Sequence, residues 1–244
     1  MRKLLFIFLF FSYLIQNSSA QGFELNKSTI KLKSKKGEIV KEHITLKNTS
    51  NTSSKWKLYF KGPDILFEKK DSVDWRKPEN QDFISEHVAL TRAHRRSFFN
   101  IKREQKHNPE RSPIGTMWAL GKTVDLHDTL YSPIRKAFKK PLKVVDTTIS
   151  LRLNRENRYF DIVITYFGGK TNGGGFSYVR NEINPKWIKA NQSNGIIAPK
   201  GTAKIEVTIN SNQIDIGQHV VELIVEDDKE NYSKIPINIS ITAN

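Results

Sequence analysis

The chain has no cysteine among its 244 residues, which removes disulfides, thiol nucleophiles and cysteine metal ligands together. Small exported domains often lean on disulfides, but a chain of this length buries enough apolar surface to fold without them. Acid is scarce as well: 25 Asp and Glu stand against 40 Lys and Arg, a formal net charge of +15. A surface of that sign attracts polyanions, whether acidic polysaccharide, lipid head groups or nucleic acid. Long apolar runs are missing after the N-terminus, so no later segment approaches the roughly 20 residues that a membrane-crossing helix needs. Histidine is sparse and scattered, at His43, His87, His94, His107, His127 and His219. Only His127 with Asp125 and Asp128 forms a local cluster, and no zinc-type spacing accompanies it. A Gly-Xaa-Ser-Xaa-Gly elbow and a His-Glu-Xaa-Xaa-His helix are both absent. No metal and no cofactor is expected.

The N-terminus carries the three parts of a secretory signal: basic Arg2 and Lys3, an apolar run from Leu4 to Ile15, and small residues at Ser18 and Ala20. That pattern predicts a signal peptide over residues 1–20 with cleavage between Ala20 and Gln21. The product is expected in the periplasm or outside the cell, with no membrane span and no physiological nucleic-acid partner. Mass spectrometry of the exported protein should show Gln21 as the first residue; a retained Met1 would refute the cleavage.

Arginine is unevenly placed. Apart from Arg2, every arginine lies between Arg76 and Arg180, and the flanking segments use lysine as their strong base. The flanks show period-two apolar patterning, the mark of half-buried strands. Ala203, Ile205, Val207 and Ile209 alternate with polar residues, followed by Val221, Leu223 and Val225, then by Ile235, Ile237, Ile239 and Ile241. On the N-terminal side, strands are expected over 29–33, 40–47 and 56–60, with a short one over 187–190. Asn194-Gly195, Pro199-Lys200-Gly201 and Ile216-Gly217 are expected as turns. Seven short strands in two chain segments, 21–62 and 182–244, fit an immunoglobulin-like sandwich. Trp56 and Trp187 flank the break and are expected in its core.

These flanks resemble BACON-type bacterial immunoglobulin-like modules. Phe23-Glu24-Leu25, Ser28 to Leu32, Ile44 to Thr49 and Trp56 match the first half; Pro185 to Ile188, Gly195, Ile197 to Gly201 and Ile216 to Gln218 match the second. The resemblance implies a spacer or platform that presents what is set inside it.

Residues 63–181 are expected to form an inserted, jelly-roll-like β-sandwich domain, making the whole chain all-β. A hairpin is read over 145–153 and 159–167, with its tip at Asn154 to Arg158. Apolar residues on both faces of its second strand place that strand centrally or under another element. Further strands are expected over 86–91, 97–100, 117–120 and 176–179, and one short helix over 132–138. This segment resembles an uncharacterised domain that recurs in secreted bacterial proteins, through Val88 to Arg92, Phe98 to Asn100, Ser112-Pro113, Trp118-Ala119 and Gly173 to Arg180. Such domains carry an acidic residue where Met117 stands and a tryptophan near Tyr166-Phe167; the chain departs at both. The resemblance implies no established activity.

Function is read from arginine and from carboxylates. Arg92, Arg95 and Arg96 are expected at one strand end and Arg152, Arg155 and Arg158 at the hairpin tip, where guanidinium forks suit carboxylate, sulfate or phosphate. Tyr178, Arg180 and Tyr166 are expected as exposed groups beside a flexible glycine loop over 168–175, suited to stack on a sugar. That loop precedes a strand, so it is not expected to cradle phosphate. The favoured reading is a non-enzymatic exported binding protein for an acidic polysaccharide or cell-surface glycan. Two alternatives remain open: a glycan hydrolase using Glu86, Asp125, Asp146, Glu156 or Asp161, and a purely structural envelope component.

Overall fold

A computed structural model describes residues 22–169 and 171–243; the expected signal peptide over residues 1–20 and the expected Ala20–Gln21 cleavage lie outside the described residues. The protein is all-β. The first strands are β1 (Phe23–Leu25), β2 (Ile30–Lys35), β3 (Ile39–Asn48) and β4 (Ser54–Lys61). The middle segment supplies β5 (Ile65–Lys69), β6 (Asp82–Phe83), β7 (Ala89–Thr91), β8 (Phe99–Asn100), β9 (Thr116–Leu120), a short helix α1 (Ile134–Phe138), β10 (Thr148–Leu153), β11 (Arg158–Phe167) and β12 (Phe176–Ile183). The chain closes with β13 (Ile188–Ala190), β14 (Asn194–Ile197), β15 (Thr202–Asn210), β16 (Gly217–Asp227) and β17 (Tyr232–Thr242).

The flanking strands make a two-sheet sandwich. A four-stranded sheet, β1-β3-β15-β13, faces the run β2-β17-β16-β4 of a larger sheet. Alternation puts Ile44 and Leu46, Trp56, Leu58 and Phe60, Ile205 and Val207, Leu223, and Ile235 to Ile239 into one buried cluster. Each such side chain contributes roughly 1.5–3 kcal/mol by leaving water. Two strands go beyond the expected set: β1, and β14, which occupies the expected Asn194-Gly195 turn. Gly195 pairs with Trp56 across β14 and β4. A Cβ there would stand 3.0 Å from the indole nitrogen, so glycine serves here as a strand residue that lets an indole lie against the backbone. Trp56 is buried, whereas Trp187 is half-buried at the margin of the same core.

The middle segment gathers a second buried cluster, with Trp118, Phe98, Phe138, Ile149, Leu151, Phe160, Ile162, Phe176 and Tyr178 in it. Its main layer is not a separate sheet. Strands β12, β11, β10 and β9 continue the larger sheet from β4, giving ten strands with β14 and β5 as side pairings. The join is short: Lys61 faces Ile183, Gly62 N–H donates to the Glu182 carbonyl at 2.8 Å, and Asn184 N–H to the Phe60 carbonyl at 2.8 Å. The covering layer is the small sheet β6-β7-β8 with α1 and short 3-10 turns. Several elements are shorter than their apolar patterns imply. The β10 strand starts at Thr148 rather than Val145 because Asp146 takes a positive φ of 57°, which breaks an extended run.

Because opposite residues on paired strands point to the same side, the Lys61–Ile183 pairing sets the two covered faces on one side of the ten-stranded sheet. The other side carries Lys57, Tyr59 and Lys61 on β4, continued by Ser177, Val179 and Asn181 on β12. It also brings the ends of the middle segment together, so replacing residues 62–182 by a two-residue hairpin turn should rejoin β4 to Ile183. The shortened protein is expected to keep its first core, seen as strand-type circular dichroism and dispersed methyl resonances for Ile44, Leu46 and Leu223. A random-coil spectrum would show that the first core depends on the second.

Candidate functional site

The arginines singled out by sequence do not come together. Arg92 is 2% exposed; its guanidinium lies 3.7 Å from the centre of the Phe167 ring and donates to the carbonyls of Gly168 and Gly175, both at 3.0 Å, and of Arg96 at 2.9 Å. Burial pushes its pKa down to about 10, with Asp71 and Tyr166 opposing that shift. Tyr178 and Arg180, expected beside the loop and open to solvent, are instead buried. Arg180 makes a forked pair with Asp82 at 2.7 and 2.9 Å, and the Tyr178 hydroxyl donates to the same carboxylate at 2.6 Å. Arg158 is forked onto Glu182, both contacts at 2.7 Å. Arg152 stands 3.6 Å from Asp128 and against the Tyr159 ring. Arg95, Arg96 and Arg155 are exposed. Arg158 opens β11 and Phe167, on which Arg92 rests, closes it, so the two arginine groups stand at opposite ends of a ten-residue strand.

The glycine run is packed rather than a flexible rim. A Cβ on Gly173 would stand 2.3 Å from Ser72, and one on Gly174 2.9 Å from the Ala93 carbonyl. Asp71 accepts the Gly175 N–H at 2.7 Å, and buried Lys69 donates to the Gly174 carbonyl at 3.0 Å. The acidic cluster near His127 also disperses: Asp125 pairs with Lys57 at 2.5 Å, Asp128 accepts from Tyr159 at 2.9 Å, and His127 Nδ1 contacts the Thr129 hydroxyl at 3.0 Å. Among the described residues no group of His, Asp and Glu is arranged to hold a metal ion.

A different place has the form of a site. On the uncovered side of the large sheet, where β4 meets β12, lies an open groove of roughly 460 Å³. Its floor is Val163 and Val179, which are paired across β11 and β12, with Ile183, and Ile224 paired to Tyr59. This accounts for the second apolar face of β11: Phe160, Ile162 and Ile164 enter the core while Val163 faces the groove. One wall carries Lys122, the groove-lining residue of segment 121–131, which is hydrogen-bonded to β10 and β11. Thr123 donates to Asp161 through its N–H at 2.8 Å and its hydroxyl at 2.6 Å, and the Tyr131 hydroxyl meets Ser150 at 2.5 Å. Lys57–Asp125 and Lys122–Glu226, the latter at 3.5 Å, tie that wall to β4 and β16.

Every lysine lining the groove has a carboxylate within ion-pair reach. Lys61 pairs with Asp64 at 2.8 Å, Lys234 with Glu222 at 2.7 Å and Lys122 with Glu226 at 3.5 Å. Asp161 and Glu230 remain beyond those pairs, so the groove holds more acid than base although the protein as a whole is strongly basic. Burial raises the Tyr59 pKa, and the charges of Glu226 and Asp161 add to the effect. Burial likewise raises the Asp161 carboxyl, against the lowering effect of the two Thr123 hydrogen bonds. The folded protein therefore binds more protons than the unfolded chain between the ordinary carboxylate pKa and the raised one, and stability falls as pH rises through that window. Asp161→Asn keeps an oxygen for Thr123 and removes the buried charge. It is expected to be more stable than wild type at neutral pH and to lose that advantage below about pH 3, under the unfolded pKa. Denaturant midpoints at the two pH values check the sign.

Asp161 was legible as one of several acidic residues in the middle segment; Tyr59, Asn181, Glu222, Glu226 and Tyr232 were not. Their only sequence signal is that they occupy the non-core phase of an alternating strand, which is shared by every surface residue of a sheet.

No protein-family model matches the chain, and no curated protein matches it. Among solved structures it is similar to the ASH / PapD-like domain of human CEP192 (PapD-like domain 7), at 10% identity and a TM-score of 0.37, over 96% of each chain.

Proposed function

We propose that the protein is an exported, non-enzymatic binding protein, in which a BACON-type frame (21–62 and 182–244) carries an inserted β domain (63–181), and that its contact site is the groove where the two meet. The observation that carries this reading is the uncovered sheet face itself. Both chain segments contribute side chains to one concave surface, with an aliphatic floor, a half-exposed ring at Tyr232 and convergent polar groups, the usual composition of a ligand site. Its lysines are neutralised by Asp64, Glu222 and Glu226, so the groove suits an uncharged polyhydroxylated ligand, a neutral glycan, better than the acidic polysaccharide inferred from the arginine pattern. The Asn181 amide and the carboxylates offer donors and acceptors to hydroxyls, and Tyr232 offers an apolar ring face.

Retention on neutral and acidic polysaccharides, measured at low and physiological ionic strength, tests it. Neutral chains should be retained with little dependence on salt, and Tyr232→Ala and Asn181→Ala should each weaken retention by about tenfold, as expected for loss of a stacked ring or a buried hydrogen bond. Unchanged retention in both variants would overturn the groove as the contact site, and no retention by the wild type would leave the structural envelope role standing.

One observation favours a hydrolase as the second reading. Asp161, whose carboxyl pKa burial raises, and Glu226, paired with Lys57 and Lys122, line the same groove, two carboxylates of the kind that glycoside hydrolysis uses. Reducing ends released from a neutral glycan by the wild type, and lost in both Asp161→Asn and Glu226→Gln, would establish that chemistry.

A further inference from the structure

The turn-rich loop between β8 and β9 builds a second pocket, of roughly 430 Å³, lined by Arg103, Lys106, His107, Asn108 and Arg111 among others. Its one carboxylate is spent inward. Glu104 accepts the Ser112 hydroxyl on one oxygen; on the other it accepts the N–H groups of Asn100 and Ile114, both at 2.8 Å. Asn100 fastens the base of the same loop, donating from its side chain to the carbonyls of His87 at 2.8 Å and Ile114 at 2.9 Å. Asn108 N–H, in turn, is held by the Ser112 hydroxyl at 2.7 Å. The loop is therefore closely tied, and Glu104 faces its hydrogen-bond donors without forming an ion pair with any of the loop's cations.

Arg103, Lys106 and Arg111 are exposed members of that lining, and none of the three has an ion-pair partner among the described residues. This sets them apart from the lysines of the groove, all of which are paired. A second observation points the same way. The Nδ1 of His107, another residue of the pocket lining, is buried and has no hydrogen-bond partner; in the Nδ1–H tautomer it is an unspent donor beside the three cations. Burial, and then the charge of Arg96, lower the pKa of this imidazole, with Glu104 opposing and Arg135 adding to the lowering. Arg135 is itself paired with Glu110 at 3.4 Å.

We infer that this loop pocket is an oxyanion site that binds the sulfate or carboxylate group of an acidic saccharide, with Arg103 and Arg111 as forked donors and Lys106 as a point charge. Guanidinium forks match the two oxygens of such a group, and a concave pocket of this volume takes a discrete sugar-sized unit rather than a flat membrane. The acidic partner suggested by the arginine-rich composition then has a place, although not at the residues the pattern singled out. The choice of a saccharide as carrier rests on the proposed glycan-binding function; the anion site itself does not.

The full exported chain is titrated with dextran sulfate, polygalacturonate and neutral dextran, and separately with vesicles containing anionic lipid. The Arg103→Ala/Arg111→Ala double variant should lose at least about tenfold in affinity for an acidic chain, the loss expected from one or more charge-assisted hydrogen bonds. Neutral dextran binding should be unaffected. A control with the same loss of charge elsewhere, Lys31→Ala/Lys33→Ala on exposed β2, should stay within about twofold, since a diffuse field is screened beyond a Debye length. Equal losses in both double variants, no binding of either acidic chain, or binding of anionic vesicles alone would overturn the proposal. Failure of neutral dextran to bind, with the acidic result intact, would count against the groove and not against this pocket.

Discussion

Replacing Asp82 with alanine is expected to destabilise the second core by about 3–5 kcal/mol, because it strands a buried guanidinium. Asp82 and Arg180 have side chains only 7% and 8% exposed, and the same carboxylate takes the Tyr178 hydroxyl. Among the described residues Arg180 then has no other acid partner, since Glu182 is occupied by Arg158. Burial and the neighbouring Asp82 hold the Tyr178 phenol well above its ordinary pKa, so it stays a donor throughout the working range and cannot take over as a counter-ion. Denaturant unfolding measures the loss. Adding Arg180→Met should recover much of it, because removing both partners leaves no unpaired charge. A D82A protein as stable as wild type would show that the forked pair contributes nothing.

The second large effect is expected at Trp118. Its ring is fully buried, lies parallel to Phe98 at 6.2 Å and edge-on to Phe138 at 6.1 Å, and its Nε1 donates to the Thr116 hydroxyl at 2.9 Å. Trp118→Ala should cost about 3–5 kcal/mol through the cavity it opens between β9, α1 and Phe98. Amide exchange in β3 and β15 is expected to change little, since those strands line the other core. Comparable loss of protection in β3 and β15 would mean that the two clusters unfold as one unit.

These two positions mark how far local patterning reaches. The strands β15, β16 and β17 were legible residue by residue from apolar alternation, as was the β10–β11 hairpin with its tip at Asn154 to Arg158. The site was not. Arg92, Arg158 and Arg180 were legible as forked donors and Tyr178 as a ring beside them, all expected to face solvent, yet a guanidinium facing solvent and one folded inward read the same in a sequence. What decides between them is a carboxylate or carbonyl far along the chain: Asp82 for Arg180, Glu182 for Arg158, and Gly168 and Gly175 for Arg92. Likewise, Glu104 is only an acid beside Arg103 until the structure turns it onto Ser112, Asn100 and Ile114.

By itself, the amino-acid sequence determined that the chain is all-β, that it folds without disulfides, and that most of its strands lie where they do, because each of these follows from composition or from a period of two among near neighbours. Tertiary structure alone decided that β12 would extend the sheet begun by β4, leaving a groove open on one side of the joined sheet, and which charges would be spent and which left open. Those outcomes depend on which residues meet across many tens of positions in the chain. Such meetings are selected by the packing of two whole cores and the pairing of their edges, and no local pattern carries that information.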